Sequence, residues 1–456
     1  MEFGFPELAA IRLGFGLSPN TRPPSDIDGV LASVAAAAPG PEAMSTDFAR
    51  EGARQLSAIA KARVDGDDQT QKAYVEVGRE LRNARLIGLQ HRIARAVEAP
   101  AGFGERLVQF WADHFTIRAD GTGAQRLAVA FVDEAIRPNI GGRFEDLLFA
   151  ADTHPMMLIY LNQNVSVGPN SVLRKRDPKR ERGLNENLAR EILELHTLGV
   201  GAEYSQQDVR QLAELLTGLT YSTANDVVFR PQMAEPGAET VLGKDYGGGK
   251  NPSIEDVRAV LTDIARRKDA AAHVSRKLAV HFISDEPDDA LVTAMTDTWL
   301  KTDGDLAQVY RTMISNAALV DSFRQKVRQP YDYIVTCLRA LGVTGDEVRA
   351  WERRDINSYV VAPLVQMGQP WGLPLGPNGW PEEAEAWITP QSLAARISWA
   401  TKFPSRLRKE LPDPRGLLDT ALGGTQSEAL AWAVPKAESV REGVALILAS
   451  NDFNRR

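Results

Sequence analysis

Helical periodicity, carried almost from one end of the chain to the other, constrains this sequence more than any other feature. Residues 68–98 run through Gln, Lys, Glu, Arg, Leu and Ala with no internal proline. These side chains lose little freedom on a helix. Ser205 stands three residues before Asp208, and Ser253 three before Asp256. That spacing resembles the capping box, in which a hydroxyl and a carboxylate satisfy each other's backbone N–H groups. Ser25, ahead of Asp26 and Asp28, marks another start, and Pro39-Gly40 its end. Apolar residues recur at helical spacing near 105–117, 125–136, 184–198, 270–282, 290–300, 306–315, 331–341, 390–401 and 439–449. Strand patterns occur only at 219–229 and 240–242, enough for one small hairpin. The spacing predicts an all-α fold, a multi-helix globular body with long loops.

Three stretches break the pattern. Residues 162–183 are polar with a basic run, 230–252 are rich in Gly and Pro, and 369–387 alternate Pro with Trp. Loops this long in a compact protein often carry function. No internal repeat of constant period is present. One helical domain over residues 1–456 is expected, with sub-boundaries near 250 or 325 as the alternatives.

Composition excludes several classes. A chain of 456 residues can bury about three quarters of its extended surface, so it needs no metal or disulfide staple. Its 53 Lys and Arg against 60 Asp and Glu give a net charge of −7, which disfavours a nucleic-acid partner. The single Cys337 rules out an intrachain disulfide, and its apolar neighbours predict an inert core thiol. The longest apolar runs, 30–38 and 333–341, fall far short of the ~20 residues a membrane helix needs. Residues 1–15 show no basic start and no apolar signal core. The expectation is a soluble cytoplasmic protein with no membrane partner.

Familiar active-site motifs fail. Residues 243–251 approach a P-loop, but Lys244 stands where a glycine is required and Asn251 where a magnesium-binding hydroxyl is required. No nucleophile elbow, zincin motif or dinucleotide fingerprint occurs.

The densest polar cluster is Gly183-Leu-Asn-Glu-Asn-Leu-Ala-Arg-Glu-Ile-Leu-Glu-Leu-His-Thr-Leu-Gly199. At 100° per residue, Leu184, Leu188, Ile192 and Leu195 form a buried stripe. Asn187, Glu191 and Glu194 share the adjoining sector, with Arg190 beside them. His196 points away unless the helix end is distorted. Two carboxylates at i, i+3 can hold a hard cation or share a proton, and helical bundles build metal sites this way with histidines from other helices. The catalytic candidates are therefore Glu191, Glu194, Arg190 and Asn187. The candidate ligands for a divalent metal are Glu191, Glu194, His114, His154 and His196, with His281 a further histidine of the same kind. The competing reading is structural, because Glu186, Arg190 and Glu194 form an i, i+4 ladder of paired charge. Arg174 and Arg176, in the basic run ahead of this helix, are candidate contacts for an anion or a partner. A solvated loop is the other reading of that run. Trp371 and Trp380, with Trp387, read either as a sugar or peptide platform or as a lid on the core.

The sequence resembles a bacterial family known as domain of unknown function 1800. The resemblance rests on Arg12-Leu-Gly-Phe-Gly16, Phe110-Trp-Ala-Asp-His-Phe115, His154-Pro-Met-Met-Leu-Ile-Tyr-Leu161, Ser166-Val-Gly-Pro-Asn-Ser171, Gly379-Trp380, and residues 183–199, 208–218 and 276–282. It implies a largely helical fold with no settled activity. Such proteins are often exported and are frequently encoded beside a second family, domain of unknown function 1501, of sulfatase- or phosphatase-like fold. That neighbour is the partner the resemblance implies. This chain departs from the family pattern at Ala112, where relatives tend to carry histidine, at Ala234-Glu235, where they tend to read His-Asp, and at Asn162, often an aspartate. Each departure removes a metal donor. Two functions follow: a metal-assisted or acid–base enzyme, or a non-catalytic binding or assembly protein that meets its partner through the Trp/Pro segment and basic loop.

Overall fold

The computed structural model describes residues 4–62, 68–119, 122–177, 183–222 and 228–456. Helices dominate it, and among the described residues the sheet content is one antiparallel pair, Ala238–Val241 with Lys244–Gly247. Leu242 and Gly243 turn the hairpin, both with positive φ (50° and 80°), as a two-residue turn between right-twisted strands requires. The strand signal at 240–242 thus lies at the hairpin's turn. Leu219 and Phe229 instead meet each other in an isolated bridge; residues 223–227 between them lie outside the described residues.

The local start signals act as chemistry dictates. The Ser205 hydroxyl accepts from the Asp208 N–H at 3.1 Å while Asp208 Oδ2 accepts from the Ser205 N–H at 2.8 Å. Ser253 and Asp256 form the same box. At the first predicted start the cap is Asp26 rather than Ser25, and its carboxylate accepts from the Gly29 N–H at 2.8 Å. The helix Ile27–Ala36 then lies close against Phe103–His114. Gly104 permits that approach, since a Cβ there would fall 2.1 Å from the Ser33 carbonyl oxygen.

Two hydrophobic clusters result. One gathers around Trp111, Phe115, Phe144 and Trp299. The other gathers around Tyr333, Leu338, Trp399 and Val444, and includes the buried Cys337. The long helix Asp68–Glu98 feeds the second cluster with Leu89, Ile93 and Val97 while packing against Thr122–Ala130. No helix among the described residues is long and apolar enough to cross a membrane.

Buried arginines stitch the two clusters together. Arg12 donates to the carbonyl oxygens of Arg456 (2.6 Å) and Ile283. Arg106 donates to the Arg12 carbonyl oxygen at 2.9 Å, and Arg456 pairs with the buried Asp332. Arg339 reaches back to the end of the long helix, where its Nη1 donates to the carbonyl oxygens of Ala96, Val97 and Ala99 at 2.8–3.0 Å. These carbonyls have no intrahelical donor, so the guanidinium serves as the helix's C-terminal cap.

Candidate functional site

The helix of residues 187–197 begins as α-helix and changes to π-helix over Ile192–Thr197. Thr197 supports the change by donating its hydroxyl to the Ile192 carbonyl oxygen, five residues back, at 2.6 Å. The wider turn rotates the second half of the helix away from 100° spacing. Leu193, His196 and Thr197 are consequently buried, while Leu184 and Leu195, predicted for the buried stripe, are only half-buried.

His196 therefore points inward. Its Nδ1 lies 2.9 Å from Asp152 Oδ1 at the end of Phe144–Asp152, both side chains being at most 2% exposed. The pair is out of line for a hydrogen bond, and among the described residues neither this nitrogen nor the Asp152 carboxylate oxygens find another partner. Glu191 is half-buried nearby; burial raises its pKa and the charge of His196 opposes the rise. Glu194 is engaged by Arg190, 3.4 Å away, and by Tyr204, while Arg190 also lies 3.5 Å from Glu186 and donates to Gln206. The charge ladder is thus present. Asn187 is exposed at the helix start.

The predicted metal donors do not converge, which corrects the expectation of a five-residue ligand set. His154 caps its own helix: its Nδ1 accepts from the Met156 N–H at 3.1 Å, and its Nε2 lies 3.3 Å from Glu134. His114 uses its Nε2 on the His196 carbonyl oxygen at 3.1 Å. His281 is held between Arg106 (2.9 Å) and Glu382 (2.5 Å). Among the described residues no group of three or more His, Cys, Asp or Glu side chains is arranged to hold a metal ion. The π-turn brings His196 to Asp152 rather than to the Glu191 and Glu194 carboxylates together.

A cavity lies elsewhere, between the long helix, the end of Phe103–His114, the Thr122–Ala130 helix and the Trp/Pro segment. Its volume is about 130 Å³. Trp371 and Trp380 form part of its wall, so neither is a free platform. Trp371 stacks on Tyr331 with ring centroids 5.4 Å apart, and the Arg92 guanidinium sits 5.2 Å from its ring. The Trp380 N–H donates to both carboxylate oxygens of Asp113, at 3.1 and 3.2 Å. Gly379 makes that contact possible: its φ is +79°, and a Cβ would fall 2.7 Å from Asp113 Oδ2. Ala112, the position of a histidine in the family pattern, lines the cavity and leaves it open.

Two kinds of charge meet here. Arg95 and Arg137 are matched, both by Glu105 (2.9 and 2.8 Å) and Arg137 also by Asp133 (3.3 Å). Arg85 and Arg92 are not paired with any carboxylate within 4 Å among the described residues. Burial lowers the pKa of both, and for Arg92 the charge of Arg137 adds to it. Asp113 is pushed up to about 7, first by burial and then by the charge of Glu382, against the Trp380 N–H and Lys277. Lys277 is lowered by burial, with Asp113 and Glu382 opposing. Burial, with the charge of Lys277, brings His273 down to about 4. Burial also brings His281 to about 4 despite Glu382, leaving both imidazoles neutral at pH 7.

Arg174 and Arg176 fall in the short helix Val172–Arg176, and neither lines the cavity. The rest of the basic run, residues 178–182, lies outside the described residues. Sequence reasoning passed over Arg85, Arg92, Asp113, Asp152 and Lys277. Arg85, Arg92 and Arg95 recur at i, i+7 and i+10, one face of a helix. His273, Lys277 and His281 recur at i, i+4 and i+8 on one face of the helix Lys268–Phe282. Both signals were readable.

Comparison with curated proteins and with solved structures returns no match. Asp113 and Trp380, both within markers of the sequence, line the cavity; the family model described as "Protein of unknown function (DUF1800)" matches residues 9–455, so the chain belongs to that family.

Proposed function

We propose that the protein is an acid–base enzyme whose substrate enters this cavity, with Asp113 as the group that gives and takes the proton. The observation that carries the reading is a carboxyl that lines a cavity, is fixed there by the Trp380 N–H and is pushed up to about 7 by burial. A general acid or base works best when its pKa lies near the working pH, and burial combined with specific charged neighbours is how proteins tune one. The Trp380 N–H fixes the carboxyl's orientation, and Lys277 supplies the charge behind it. Glu191 and Glu194, the pair favoured by sequence, do not line the cavity.

The test is the titration of the Asp113 carboxyl, followed by isotope-edited infrared spectroscopy against an Asp113→Asn control. A transition within about one unit of 7 supports the role. An ordinary carboxylate value near 4 ends it.

A second reading, a binding or assembly protein, is favoured by an open apolar groove of about 800 Å³ lined by Ile397, Leu430, Ala433, Ala445 and Leu446. Ile397 and Leu446 are 52% and 38% exposed. A protein of the domain of unknown function 1501 family is the partner proposed for it. Co-expression and co-purification should recover the pair from the native chain and lose it with Ile397→Asp or Leu446→Asp. Equal recovery with these variants removes the groove from consideration.

A further inference from the structure

Arg85 and Arg92 pose a physical problem that the acid–base reading does not solve. Both are only partly buried, yet a guanidinium drawn partly out of water without a carboxylate partner is still at a disadvantage. Elsewhere in the same wall the chain avoids this cost, giving Arg95 and Arg137 the shared carboxylate of Glu105. Among the described residues Arg92 donates to the neutral Gln109, at 3.3 Å, and lies over the Trp371 ring. For Arg85 burial alone acts on the charge. The two stand seven residues apart on one helix, two turns along the same face, with Gly88 between them packed against Val129.

The remaining wall is of a different kind. Ala112, Ile117, Ala128, Val129, Trp371 and Trp380 present mostly apolar surface to the same space. At roughly 10–15 Å³ of such volume per water, the cavity holds on the order of ten water-sized groups. Three carboxylates also line the space, each already engaged: Glu42 beside Arg95, Asp133 beside Arg137 and Asp113 under the Trp380 N–H. The uncommitted Arg85 and Arg92, with the apolar side chains, define a ligand with an anionic head and a compact apolar body.

We infer that the cavity binds a small organic anion, a carboxylate or phosphate monoester of about ten non-hydrogen atoms, whose head supplies the counter-charge that Arg85 and Arg92 lack. Guanidinium groups suit both heads because their fork of N–H donors matches two oxygens at once. The inference deepens the proposed function and takes the same cavity as its site, but it does not require Asp113 to perform chemistry.

Calorimetry on the full chain with benzoate, phenyl phosphate, inorganic phosphate and the uncharged isostere benzamide tests it. Benzoate or phenyl phosphate should bind, whichever is tighter naming the head group, and benzamide should not. Arg85→Gln and Arg92→Gln should each weaken the bound anion by about tenfold or more. Thermal melting of the unliganded variants keeps the result interpretable. If the arginines await a ligand, each variant melts at or above the native temperature, because a partly buried charge without a carboxylate partner has been removed. If they are structural, both melt lower. Four outcomes overturn the inference: no probe binds, benzamide binds as well as benzoate, inorganic phosphate binds as well as phenyl phosphate, or both glutamine variants bind unchanged. Asp113→Asn should still bind the anion. Retained binding alongside an ordinary titration of Asp113 would sink the acid–base reading and leave this one standing.

Discussion

Asp113 joins the two halves of the functional argument, and its neighbours decide what it can do. Trp380 faces it from the Trp/Pro segment, Glu382 from the same segment, and Lys277 from the helix Lys268–Phe282. Its folded pKa of about 7 stands above the ordinary 3.8. Between those values the native state keeps a proton that the unfolded chain has released. Stability therefore falls as pH rises from about 4 to 7 and is level above that. The full span corresponds to at most ~4 kcal/mol. Urea unfolding across this range should show a decline that shrinks in Asp113→Asn and persists in part through Glu239, which burial also pushes up to about 7; parallel profiles would place the titration elsewhere. None of this was legible in Trp-Ala-Asp-His-Phe, because an aspartate beside a histidine on a helix says nothing about the backbone N–H that will meet it from residue 380.

At the scale of the element, legibility followed locality. The boxes at Ser205 and Ser253 depend on atoms three residues apart, so their spacing was sufficient to place two helix starts. The helix of residues 187–197 was misread in its second half because 100° spacing assumes an α-helix, and the π-turn at Ile192–Thr197 breaks that assumption. His196 is buried beside Asp152 for this reason. The termination of the long helix is the opposite case, since its cap arrives from more than two hundred residues away. Arg339→Met should leave the carbonyl oxygens of Ala96, Val97 and Ala99 without that donor. The expected loss is about 2–4 kcal/mol, read by chemical denaturation, because acceptors shielded from water would stand unsatisfied. A loss within about 0.5 kcal/mol, the range of ordinary surface changes, would show that water caps the helix as well.

The whole molecule is two apolar clusters with an ionic layer between them. Helix-forming patterns foretold the body but not the layer, because the layer is assembled from residues at 12, 106, 281, 332 and 456 whose partners are remote in sequence. Asp332 is its principal counter-charge. Burial raises its pKa, but Arg106 and Arg456 outweigh that and hold the carboxyl below its usual range. Asp332→Ala leaves several guanidiniums facing one another, and an expected cost of about 3–5 kcal/mol follows from breaking a buried pair on one side. Equilibrium unfolding measures it, and a neutral result would mean that the arginines are solvated. The same remoteness explains why the cavity escaped notice: its walls come from residues near 40, 90, 112, 130 and 375, and no single stretch carries its outline.

The bond from Arg12 to the carbonyl oxygen of Arg456 spans 444 positions in sequence. On the ribosome, where chains grow at roughly 5–20 residues per second, Arg12 emerges roughly 20–90 s before its partner exists. Throughout that interval the first apolar cluster can condense, but the guanidinium that will lock it to the second has nowhere to dock. Newborn chains of this protein must therefore pass through a half-assembled stage whose exposed junction is where a chaperone would be needed.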